Sequence, residues 1–157
     1  MAQPIEAKAF LDVLATSGVH YDLIPHQHTE TAVDEAEAVG VLPGQVAKTI
    51  ILTTREGFVR AVVPGSKRVD LEKVRELLDV NRVALASEDE LADAYPGFEL
   101  GAVPPFGGPR DDVLLDGRLC SLETVVIEAG THEESVRLRT RDLVRLTEAK
   151  LGDICHD

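Results

Sequence analysis

At 157 residues, with 44% apolar and 28% charged side chains, the chain is long enough to bury one core and has the balance of an ordinary globular domain. Its formal charge of −12 excludes nonspecific attraction to a polyanion such as DNA. No apolar run approaches a membrane span, the start lacks the parts of a secretory signal, and Cys120 and Cys155 have neither metal-ligand nor CxxC spacing, so a cytoplasmic protein with reduced thiols and no cofactor is expected.

Residues 5–17 carry apolar positions near helical spacing and stop at Ser17-Gly18. Val19 to Ile24 alternates like a strand, closed by Pro25. His26 and His28 follow on a polar link; two histidines two apart point the same way, but no partner at an informative spacing completes a metal site. Thr31 and Asp34 open a short helix that ends at Gly40. After Pro43-Gly44 comes Val46 to Leu52, a strand, joined by Arg55-Glu56-Gly57 to a second strand over Phe58–Val63. Asp70 caps a helix with Leu71, Val74, Leu77 and Leu78 inward. Val83–Ala86 reads as a strand, and Ser87 with Glu90 is a capping box for another short helix. Strands are expected at Asp112–Leu115, followed by a tight turn at Asp116-Gly117, then at Thr124–Glu128 and Glu134–Leu138. Arg141–Ala149 reads as a helix and the tail as frayed. Grouped short strands with interspersed helices give one largely antiparallel α+β domain over 1–157.

Two stretches stand out. Along the first strand Val46, Lys48, Ile50 and Leu52 share a face, so Lys48 either snorkels outward or projects into a cavity that needs a positive charge. The second is Gly101-Ala102-Val103-Pro104-Pro105-Phe106-Gly107-Gly108-Pro109. Its glycines permit close approach, its prolines stiffen the segment, and its remaining N–H groups can hold a carbonyl or an oxyanion. Charge is uneven too: residues 48–82 carry eight Lys/Arg against five acids, whereas 83–134 carry two against twelve. A local anion-binding face is therefore expected near Lys48.

Taken in order, Val-Ala-Lys-Thr-Ile-Ile-Leu, Val-Val-Pro-Gly-Ser-Lys-Arg-Val-Asp-Leu, Gly-Ala-Val-Pro-Pro-Phe-Gly and Glu-Ala-Gly-Thr-His resemble the YbaK/prolyl-tRNA synthetase-associated editing domain, from about His20 to Leu146. The resemblance implies a mostly antiparallel, barrel-like sheet with helices outside. It also implies hydrolysis of a mischarged aminoacyl-tRNA, typically tRNA for proline carrying alanine or cysteine. Lys48 matches the family's essential lysine, and Gly101 and Pro105 match the ends of its GxxxP loop. Gly130 matches a pocket glycine, with His132 beside it and His28 near the pocket entrance. Ala102, Val103, Phe106 and Gly107 complete the expected substrate surface, with Val103, Phe106 and the aliphatics beside Lys48 bounding the aminoacyl pocket. The acceptor end of aminoacyl-tRNA is the implied partner, and prolyl-tRNA synthetase a second; neither membrane nor DNA is. The alternative is a binding module of the same fold, or a protein that works only docked to a synthetase.

Overall fold

The computed structural model describes residues 5–108 and 111–157; Pro109, at the end of the glycine–proline stretch, and the first four residues lie outside them. The elements run α1 (Ile5–Thr16), β1 (Tyr21–Pro25), α2 (Ala32–Val39), β2 (Ala47–Thr54), β3 (Gly57–Pro64), α3 (Leu71–Leu78), β4 (Ala84–Leu85), α4 (Glu88–Ala94), β5 (Asp112–Asp116), β6 (Thr124–Glu128), β7 (Glu134–Arg139), α5 (Thr140–Thr147) and β8 (Lys150–Gly152). Helix boundaries follow local chemistry. The Thr31 side chain accepts from Asp34 N and Gly40 closes α2 in the left-handed region; Asp70 caps α3 by accepting from Glu72 N and Lys73 N; Ser87 and Glu90 form the reciprocal box at α4.

Two sheets form. One has the order β1-β7-β6 and is antiparallel throughout; the other has the order β4-β2-β3-β5-β8. In the second, β2 pairs antiparallel with β3 and β4, but β3–β5 and β5–β8 are parallel. A parallel pair needs a long crossover, and the segment carrying α3, β4 and α4 supplies one between β3 and β5. The expected barrel-like sheet is corrected accordingly: the sheets are not closed and touch through the isolated parallel bridge Val46↔Val126. The tight turn expected at Asp116-Gly117 is also replaced, by a 3-10 turn over Gly117–Ser121 in which Asp116 accepts from Arg118 N. Strands β5 and β6 are in different sheets, so no hairpin joins them.

The main core lies between the sheets, where Ala47, Ile51, Val62 and Leu115 meet Val125, Ile127, Val136 and Leu138, with Phe10 and Leu14 of α1. A second cluster covers the other face of the five-stranded sheet: Leu52, Val63 and Leu114 pack on Val74 of α3 and on Ile154 and Cys155. The tail is thus structural rather than frayed. Ile154 and Cys155 have no exposed surface, Ile154 N donates to the Asp116 carboxylate at 2.9 Å, and Val69 bridges Cys155.

Candidate active site

Lys48 sits opposite Val63 in the β2–β3 ladder, and side-chain alternation sends it to the face of Ile50 and Leu52, toward α3. There it lines a cavity of about 500 Å³ with Ile50, Arg68, Leu71, Leu85 and His156. Its amine makes no ion pair or hydrogen bond among the described residues. Burial lowers its pKa from the usual ammonium range; the Cys155 group works against this and the Arg68 charge adds to it. The tail forms one wall: His156 N donates to Arg68 O at 2.9 Å and Asp70 N to Ile154 O at 2.7 Å, and His156 Nδ1 lies 3.4 Å from Asp70. Burial pushes the Cys155 thiol up to about 12, so it offers no thiolate nucleophile.

Gly101 forms a second locus. Its φ is +82°, and a Cβ there would come within 3.4 Å of the His132 ring. Glu99 N donates to Gly130 O at 2.9 Å and His132 N to the Glu99 carboxylate at 2.8 Å, which ties the Gly130 turn to the loop. His132 is buried, and its Nε2 lies 2.5 Å from Leu100 O. A carbonyl can only accept, so Nε2 carries the proton. In the neutral ring Nδ1 is then a buried acceptor, without a partner among the described residues. His28 packs against His132 with ring centroids 5.2 Å apart and planes tilted by 58°, and its pKa is raised chiefly by the hydrogen bond from Nε2 to Glu30 at 2.6 Å. His26 turns elsewhere, to Ser135 Oγ at 2.8 Å. The two histidines do not converge.

The structure therefore brings Gly101, Gly130, His132 and His28 together, but none of them lines the Lys48 cavity. Val103 and Phe106 belong to the main core, with Phe106 against Phe10 at 4.7 Å between ring centroids, on the sheet face opposite Lys48. Ala102, Pro104 and Pro105 are buried as well, and Gly107 partly so. The expectation that Val103 and Phe106 bound a pocket with the Lys48-side aliphatics is thus corrected. The loop presents backbone instead. Ala102 N is taken by Glu99 O at 3.0 Å, while the Gly101 and Val103 amides have no protein acceptor among the described residues.

What holds the loop there is Arg60, a residue sequence reasoning passed over. It lies on β3 opposite Ile51 and is 1% exposed. Its Nη1 donates to Pro104 O at 2.7 Å and its Nη2 to Gly107 O, while Nε lies 2.9 Å from the Asp111 carboxylate. Tyr95 donates its hydroxyl to the same carboxylate, and the guanidinium lies 5.3 Å from the centre of the Tyr95 ring. One buried fork thus clamps both ends of Pro104–Gly107. A lone cation inside Phe-Val-Arg-Ala-Val-Val was the available signal, the same kind that singled out Lys48.

A third polar group was also missed. Glu35 of α2 and Glu128 of β6 are buried side by side, and Ser135 donates its hydroxyl to Glu35. Burial is the main cause raising both pKa values; for Glu128 the facing Glu35 carboxylate adds to it. Among the described residues Glu35 Oε1 and Glu128 Oε2 have no partner, and a proton shared by the two carboxyl groups supplies the donor that two carboxylates lack.

The aminoacyl-tRNA editing domain family matches residues 26–146, and the chain belongs to that family. Among curated relatives, the multifunctional Ser/Thr-tRNA deacylase ProXp-y of Escherichia coli K12 is 28% identical over 149 residues, covering 88% of this chain and 86% of that protein. The proline–tRNA ligase of Fervidobacterium nodosum is 27% identical over 135 residues, which span 82% of this chain but only 23% of the ligase. A solved structure described as a candidate trans-editing enzyme for prolyl tRNA synthetase superposes with a TM-score of 0.89 at 28% identity, covering 99% of this chain and 100% of that one.

Proposed function

We propose that this chain is a trans-editing deacylase that hydrolyses the ester of a mischarged aminoacyl-tRNA, with Cys- or Ala-tRNA(Pro) as the substrates. The observation that carries the reading is the half-buried Lys48 amine, without an ion-pair partner among the described residues and lining a cavity on an otherwise apolar strand face. An aminoacyl ester is already activated, so no protein nucleophile is required. Water adds to the ester carbonyl, the bond from that carbon to the ribose oxygen breaks, and the ribose oxygen leaves with a proton; the adjacent ribose hydroxyl assists. Lys48 is the catalytic cation, neutralising charge that builds on the ester oxygen or on the terminal phosphate. The Gly101 and Val103 amides of the Gly101–Pro105 segment hold the aminoacyl carbonyl, and Gly130, His132 and His28 border the amino acid.

The bridge Val46↔Val126 supports one substrate reaching both loci. Lys48 is two residues past it along β2, Glu128 two past it at the end of the parallel β6, and Gly130 sits in the turn that follows β6. At about 3.3 Å per residue Lys48 and the end of β6 are each roughly 7 Å beyond the same point, which leaves the Gly130 turn within the span of a terminal aminoacyl-nucleoside. The test is a panel of purified tRNAs carrying Cys, Ala, Ser, Thr or Pro, incubated with the protein alone. Loss of the Cys or Ala ester from tRNA(Pro), with Pro-tRNA(Pro) intact, is expected. Tight binding with every ester left intact would instead mark a binding module and overturn the reading.

A further inference from the structure

Residues 48–82 hold the chain's basic excess, and the fold gathers part of it into a second cavity. Beside the Lys48 pocket lies a cleft of about 890 Å³ lined by Arg55, Arg75 and Arg82, with the Thr53 and Thr54 segment and Asn81 between them. Arg55 comes from the β2–β3 turn, Arg75 from α3 and Arg82 from the segment after α3. None of the three guanidinium groups makes an ion pair or side-chain hydrogen bond among the described residues, and Glu56 is the one carboxylate in the lining. Buried Arg60 and the tail-bound Arg118 show the contrast, since both are held by carboxylates. In a protein of charge −12, three unneutralised arginines around one concavity form a local positive site against a repelling background. Each planar fork suits a phosphate.

The cleft and the Lys48 cavity are consecutive. Ala84 lines the first and Leu85 the second; Arg75 lines the first and Glu72, one helical turn away, the second. Lys48 and Thr54 stand at opposite ends of β2 on the same side, about 20 Å apart at the rise of an extended strand. We infer that the Arg55–Arg75–Arg82 cleft binds the phosphate backbone of an RNA whose 3′ end enters the Lys48 cavity. This rests on the deacylase reading for the identity of the polyanion; the arginine cluster itself does not depend on it. The acidic surface elsewhere then confines the RNA to one track and rejects other approaches.

The experiment measures binding of uncharged tRNA to the full chain across a salt series. It compares the wild type, the triple variant Arg55→Gln/Arg75→Gln/Arg82→Gln, and a charge-matched control, Arg137→Gln/Arg139→Gln/Arg141→Gln. Each lost phosphate contact removes about 0.7–0.9 from the slope of log affinity against log salt. The cleft variant should lose about 2–3 from that slope and bind about 10- to 100-fold more weakly at low salt, with its thermal midpoint unchanged. The control should retain most of the wild-type slope. With charged substrate, the cleft variant should raise KM and leave kcat in place. An unchanged slope in the cleft variant, or an equal loss in the control, overturns the inference. If the cleft variant loses tRNA binding while wild type hydrolyses no ester, the inference stands and the deacylase reading falls.

Discussion

Replacing Arg60 by Met keeps most of the aliphatic volume and removes the guanidinium. The structure fixes what is then left behind. The Asp111 carboxylate, whose side chain is 7% exposed, loses its cation and keeps, among the described residues, the Tyr95 hydroxyl, while the Pro104 and Gly107 carbonyls lose their donors. Removing one partner of a buried pair costs about 3–5 kcal/mol, because the other charge stays buried without compensation. For a chain of this length that is a fall in Tm of about 6–20 °C. Urea unfolding at constant m is the assay. The double variant Arg60→Met/Asp111→Asn should recover part of this loss, because the orphaned charge is gone. Its ester hydrolysis should stay impaired through KM, because the carbonyl clamp on the Gly101 loop is still missing. An Arg60→Met protein within about 1 kcal/mol of wild type, a typical surface-substitution effect or little more, would refute the clamp.

Three other perturbations follow from the same geometry. The Glu128 carboxyl is held protonated by burial and by facing Glu35, whereas in the unfolded chain it ionises near 4.5. Stability from this site is thus complete below that pH and lost as pH rises toward the raised native value, by up to about 1.4 kcal/mol per unit. Thermal melts should show a fall between pH 5.5 and 8.5 that Glu128→Gln flattens; an identical fall in the variant would exclude the pair as its source. Ile154→Ala, at a fully buried tail position, should cost about 2–5 kcal/mol in denaturant, whereas a frayed tail would tolerate it. Gly101→Ala forces an L side chain to φ +82° beside His132 at about 1–2 kcal/mol, and should raise KM for the mischarged ester; an unchanged KM would remove Gly101 from the substrate surface.

Local signals were legible and distant pairings were not. The caps at Thr31, Asp70 and Ser87 and the β2–β3 hairpin could be read from the sequence because each depends on neighbours a few residues away. The parallel pairings of β5 could not, since periodicity reports which face a residue takes and not which strand lies beside it. Lys150–Gly152 was missed for the same reason: three residues carry no measurable alternation, and their partner in β5 is more than thirty positions away. In the candidate site, Lys48 was recognised as a cation out of place on an apolar face, yet its side of the sheet relative to Val103 and Phe106 was not. That depends on which face the Pro104–Gly107 segment docks against, and Arg60 decides it from forty-four residues away. Glu35 and Glu128 carry no local signal of burial, because their burial is created by the approach of α2 to β6.

The most direct test of the account is single-turnover hydrolysis of mischarged tRNA(Pro) by Lys48→Ala. Loss of one preorganised partner for developing charge predicts a rate about 10²–10³-fold lower, with the fold and the thermal midpoint unchanged. A Lys48→Ala protein that cleaves the ester at the wild-type rate would contradict the central claim that this desolvated amine stabilises the transition state.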